Sequence, residues 1–109
     1  MVTVQPLELP GCTAIGVVVE LPRTRLVAAA AGDGYIMCGA LDVHLLNTRL
    51  SDRGIIAGRA LGVRTLDDLL EAPLESVTDA AQAIGIKPGM RGQDALLRMA
   101  RYAGVARAR

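Results

Sequence analysis

The chain has 109 residues, 51% of them hydrophobic, which is enough for one compact core and too short for two ordinary domains. Its 12 basic and 11 acidic side chains nearly cancel and are scattered along the sequence, so it carries no electrostatic footprint for nucleic acid. Phe and Trp are absent and Tyr35 and Tyr102 are the only aromatics, which also removes the stacking platforms of single-strand binders.

The first third is punctuated by turn residues at Pro10-Gly11, at Pro22 and at Gly32-Asp33-Gly34, with apolar runs of strand length between them. Val2 and Val4 alternate with Thr3 and Gln5, as in a half-exposed strand. The series Ile15, Val17, Val18 and Val19 within 12–21 favours a second, more buried one. Residues 25–31 include four consecutive alanines of helical propensity, but their short length and the turn that follows favour a third strand. Asp33-Gly34 then opens a hairpin into Tyr35-Ile36-Met37-Cys38.

From Ala40 the spacing changes. Leu41, Val43, Leu45, Leu46 and Leu50 ring a helix that is apolar on several sides, with His44, Asn47 and Ser51 as its polar stripe. Asp52-Arg53-Gly54 ends it and Ile55-Ile56-Ala57 supplies a fifth strand. Thr65 caps a short helix over 66–71, 74–77 reads as a short strand, and Thr78 caps a helix over 79–84 closed by Gly85. A last helix runs from about Gln93 to Tyr102, and residues 105–109 read as a frayed tail. The expected fold is α+β: one domain over residues 1–109, with an antiparallel meander of about four to six strands, one buried central helix and two or three C-terminal helices.

A core without large aromatics fills through many small contributions, so a domain of this size gains from self-association. Two cysteines, Cys12 and Cys38, lack the density of a secreted disulfide scaffold, and an intracellular, cytoplasmic setting is expected. No apolar run reaches the ~20 residues of a membrane span, and no membrane role is expected. No Gly-rich phosphate loop or Cys-x-x-Cys pair occurs, so neither a metal nor a cofactor is expected.

Cys38 comes first among the candidates for chemistry. The turn Cys38-Gly39-Ala40 places it near a predicted helix start, where unpaired N–H groups and the macrodipole favour a thiolate. Gly39 lets a ligand or oxyanion approach the backbone. The same position suits a small buried thiol, the commoner fate of a free cysteine. His44, the one histidine, excludes a multi-histidine metal site and falls where its ring can serve Cys38 as a base. It equally suits a hydrogen-bonded place on the polar stripe beside Asn47. Asp42 points to a different helix face from His44 and reads as a helix-start charge. Whether Cys12 and Cys38 approach each other as a redox pair is open.

Arg59 and Arg64 flank the strand around Ile56 and, with the N–H groups after Thr65, make a candidate site for a carboxylate or phosphate. The competing reading pairs Arg59 or Arg53 with Asp52, Asp67 or Asp68. Two functions follow. The leading one is a self-associating binding or regulatory module that recognises a small anionic ligand or a protein partner through Gly39, Asn47, Arg59, Arg64 and Thr65. The alternative is a cysteine-dependent transferase or hydrolase with Cys38 as nucleophile and His44 as base.

The central residues Gly34-Tyr35-Ile36-Met37-Cys38-Gly39-Ala40-Leu41-Asp42-Val43 resemble the YunC-like family of bacterial and archaeal proteins. So do Ile56-Ala57-Gly58-Arg59-Ala60, Gly62-Val63-Arg64-Thr65 and Gly85-Ile86-Lys87-Pro88-Gly89-Met90. The resemblance covers almost the whole chain, with no departure at Cys38, Asp42, Asn47, Arg59 or Arg64. It implies a small stand-alone α+β domain and brings no catalytic assignment.

Overall fold

A computed structural model describes residues 1–49 and 51–108, with residues 51 and 105–108 described by backbone alone. Strands β1 (Val2–Leu9), β2 (Cys12–Leu21), β3 (Thr24–Ala31) and β4 (Gly34–Met37) form the antiparallel meander expected from the turn residues. The third turn differs by one residue from the sequence reading. It is made by Gly32 and Asp33, with Gly32 at φ 57° in the left-handed region that suits glycine. Gly34 belongs to β4, where clearance demands it: a Cβ there would lie 2.7 Å from the Met99 sulfur.

A crossover carrying α1 (Val43–Thr48) and a 3-10 turn (Ser51–Arg53) leads to β5 (Ile56–Arg59), which lies parallel to β4. After α2 (Leu66–Glu71), β6 (Ser76–Val77) pairs antiparallel with β5 and completes a six-stranded sheet in sequence order. Helices α3 (Asp79–Ala83) and α4 (Gly92–Ala108) follow. Thr65 and Thr78 cap α2 and α3 as the sequence implies, each hydroxyl accepting an N–H from the first turn.

Several helix boundaries move, and the first helix ends at Thr48, so that Ser51 lies in the 3-10 turn and not on its polar stripe. The first helix begins at Val43 instead of Ala40, because Asp42 is its N-cap and takes the Leu45 N–H at 3.0 Å. The last helix continues through Ala108, past the expected end at Tyr102 and into the tail expected to fray from residue 105. Ala103, one position past Tyr102, is buried there. Leu50, assigned to the first helix from sequence, and Arg109 of the tail lie outside the described residues.

Strand alternation divides the sheet into two unlike faces. On one, α4 crosses β2, β3 and β4 and α2 lies on β2 and β3. Val27, Ala29, Ile36, Leu69, Leu96 and Met99 form the centre of that core. On the other, Val43 and Leu46 of α1 cover Ala57 beside Tyr35 and Met37. The apolar girdle expected of α1 is therefore buried on one side only, with Leu45 39% exposed. The register Val2↔Val19, Val4↔Val17 and Val17↔Ala28 continues this second face across β1–β3, where, among the described residues, no helix lies on it.

Gly92 shows how tightly the covered face is closed. Its N–H donates to the Ala72 carbonyl at 3.0 Å, and a Cβ would strike the Leu69 carbonyl oxygen and lie 2.9 Å from Ile36 Cδ1. Gly92→Ala is expected to cost about 1–3 kcal/mol by overpacking. The readout is a lower urea midpoint at unchanged m-value.

Candidate functional site

Polar side chains converge beside α1, on the face opposite α4. Arg59 closes β5 two positions after the buried Ala57, so alternation sends its side chain to the α1 face. Its Nε and Nη2 donate to Glu75 Oε1 at 2.8 and 2.6 Å, and Nη1 donates to the Leu41 carbonyl at 3.2 Å. Ser76 Oγ donates to the same Glu75 oxygen at 2.8 Å. The Arg59 side chain remains 29% exposed and faces a cleft of about 340 Å³, which Asp42, His44 and Asn47 also line.

The cleft is braced from behind. Asn47 Oδ1 accepts the Asp79 N–H at 2.9 Å, tying α1 to the start of α3. Thr78 Oγ1 accepts the N–H groups of Ala57 (3.1 Å) and Ala81 (3.3 Å) and donates to the Ile55 carbonyl at 2.6 Å. One donor and two acceptor sites exhaust a hydroxyl, so this fully buried side chain is completely satisfied. It fixes β5 against α3, and with it the height of Arg59.

A domain-family model described as Domain of unknown function (DUF1805) matches residues 37–99, which contain every residue lining this cleft. The chain is 59% identical over 99 residues to Uncharacterized protein YunC of Bacillus subtilis (strain 168), covering 91% of this chain and 98% of that protein. The chain belongs to the YunC-like DUF1805 family. The crystal structure of a protein of unknown function, TA1206 from Thermoplasma acidophilum, matches it with a TM-score of 0.80 at 30% identity. That match spans 91% of this chain and 93% of the other.

Within this YunC-like fold, the residues singled out from sequence separate into four places. His44, Asn47 and Arg59 meet at the cleft. Arg64 and Thr65 do not join them: the Arg64 carbonyl accepts from Arg25 Nη1 at 3.4 Å, its N–H donates to Asp68 Oδ2 at 3.2 Å, and the Thr65 hydroxyl is occupied in capping α2. Gly39 is exposed in the turn before α1, where a Cβ would sit 3.2 Å from Leu61 Cδ2.

Cys38 is only 7% exposed and packs in the larger core under α2 and α4, while His44 is exposed on α1. No described cavity is lined by both. The first helix starts five residues after Cys38 and is capped by Asp42, which accepts the Leu45 N–H, so the thiol does not stand at the helix terminus. Cys38 donates its N–H to Val27, the partner of Val18 on β2, and Cys12 lies six positions further along that strand. At about 3.3 Å per residue this is on the order of 20 Å, too far for a redox pair. Both cysteines are free.

Sequence reasoning missed Glu75 and Ser76, and paired Arg59 with aspartates instead. Glu75 stands outside any helix first turn, which was the available signal that its carboxylate does something other than capping. Among the described residues, no group of three or more His, Cys, Asp or Glu is arranged to hold a metal ion, and no helix is long and apolar enough to cross a membrane.

Two outcomes follow from this geometry. Thr78→Val keeps the shape but leaves buried N–H groups without an acceptor, and is expected to cost roughly 2–4 kcal/mol in chemical denaturation. The Glu75 carboxyl is held below its ordinary value of 4.5, first by the hydrogen bond from Arg59 and then by that from Ser76. Its contribution to stability is thus present above 4.5 and is lost as pH falls through the lowered folded value. Wild type is expected to melt slightly above Glu75→Gln at neutral pH, and the two melting curves to converge in acid. A gap that persists unchanged in strong acid would contradict this.

Proposed function

We propose that this YunC-like protein is a self-associating binding module that takes a small anionic ligand at the Arg59 cleft. The observation that carries the reading is the state of the Arg59 guanidinium. It is anchored at the Leu41 carbonyl, belongs to a partly exposed side chain, and already holds a carboxylate, that of Glu75. Glu75 is the internal occupant of a site whose chemistry suits an external carboxylate or phosphate. An exposed ion pair of this kind contributes little to stability, so an entering anion displaces it at small cost. His44 and Ser76 line the same cleft and supply further donors. Two free thiols fit a reducing compartment, and we place the protein in the cytoplasm.

Titration with inorganic phosphate, followed by NMR shifts of the Arg59, Ser76 and His44 signals, tests the reading. Wild type is expected to bind weakly. Glu75→Gln, which frees the guanidinium, is expected to bind several-fold more tightly, and Arg59→Ala at least tenfold more weakly. Equal phosphate affinity in a folded Arg59→Ala variant would overturn the proposal.

A further inference from the structure

We propose that the uncovered sheet face of β1–β3, with the adjoining side of β4, packs against the same face of a second copy, so that the functional unit is a two-fold dimer. This specifies the self-association in the reading above and is independent of the ligand. An antiparallel sheet that faces water normally alternates apolar and polar residues. Here most of the outward positions are apolar as well, Glu8, Thr13 and Thr24 at the strand ends excepted. Val2 is 63% exposed, Val4 64%, Ile15 52% and Leu21 50%. Glu8 is the only charged side chain on this face of β1–β4, and it lies at one end, accepting a hydrogen bond from Thr13 at 3.1 Å.

Size and charge select a second copy. Strands about 4.8 Å apart and about 26 Å long give a plane of roughly 400–500 Å² for this face. Side-chain relief brings its accessible area toward the about 800 Å² that each partner contributes to a standard interface. A face with no central charge offers nothing to select a charged partner, and it is self-complementary under a two-fold axis. The net charge of +1 sets little repulsion between copies. Two such sheets would stack about 10 Å apart with nearly aligned strands, turning the exposed valines into the middle of a sandwich.

Edge-to-edge pairing is the other route open to a sheet, and β1 is built against it. Met1 and Glu20 exchange both backbone hydrogen bonds, so the even-numbered residues of β1 direct their backbone groups outward. Pro6 is one of these, and it deletes a donor from the free edge. The face is left as the surface for association.

Sedimentation equilibrium of the full chain at micromolar concentration tests the proposal, with Ile15→Glu and Val4→Arg as two independent variants on neighbouring strands. The expected result is a dimeric wild type, with both variants monomeric or weakened at least 100-fold while keeping the wild-type circular dichroism spectrum. A soluble paramagnetic agent, applied to wild type, is expected to leave the Val4, Ile15 and Val17 methyl signals protected, a readout that needs no variant to fold. A monomeric wild type would remove self-association altogether. A dimer that survives both folded variants, or open access of the agent to those methyls, would overturn this surface while leaving self-association standing; neither result touches phosphate binding at Arg59.

Discussion

The close approach of α4 to β3 and β4 is the constraint on which the rest of the architecture depends, because a core without Phe or Trp is closed by bringing backbones together. Ala29 and Ala31 on the sheet face Ala95, Met99 and Ala103 on the helix, all buried. Gly32 admits the Met99 carbonyl and the Ala103 methyl, and Gly34 admits the Met99 sulfur. Close packing at this distance forgoes large single contributions and relies on many small contacts at near-crystalline density. It also uses up α2 and α4 on one side of the sheet. Only the short α1 remains for the other side, and it reaches no further than the β4–β5 end.

Much of this was legible in the sequence where a local signal decides the matter. Pro10-Gly11, Pro22 and the Gly32–Gly34 cluster set the four-strand meander, and Thr65 and Thr78 set two helix starts. Local chemistry failed where distance in the chain decides. The third turn moved by one residue because Gly34 answers to Met99, sixty-five positions away in sequence, and not to its own turn. The first helix starts late because the Asp42 side chain takes over a terminus that spacing alone assigned to Ala40.

The candidate site divides along the same line. The polar stripe of His44 and Asn47 follows from helical spacing, and both residues line the cleft. The partner of Arg59 is Glu75, and it depends on the register between β5 and β6, which no local signal fixes. Arg59 and Arg64 look like a pair in sequence, yet they belong to opposite sides of the sheet: one turns toward α1, the other is held with Arg25 and Asp68 beside α2. Cys38 drew interest for its neighbours in the chain. Its neighbours in space are core side chains, and packing accounts for it.

The parallel pairing of β4 with β5 is one of two junctions in the sheet that no tight turn makes, the other being that of β5 with β6 across α2. Closing the intervening residues 38–55 costs about 2 kcal/mol more loop entropy than closing a two-residue turn. Arg59 lies at the end of that closure, and α1, on the far bank of the cleft, lies within the loop itself. An anion bridging the two banks would therefore draw on the same free energy that holds the strand in place. On the proposed reading, occupancy of the cleft and completion of the sheet would be linked equilibria, each raising the population of the other.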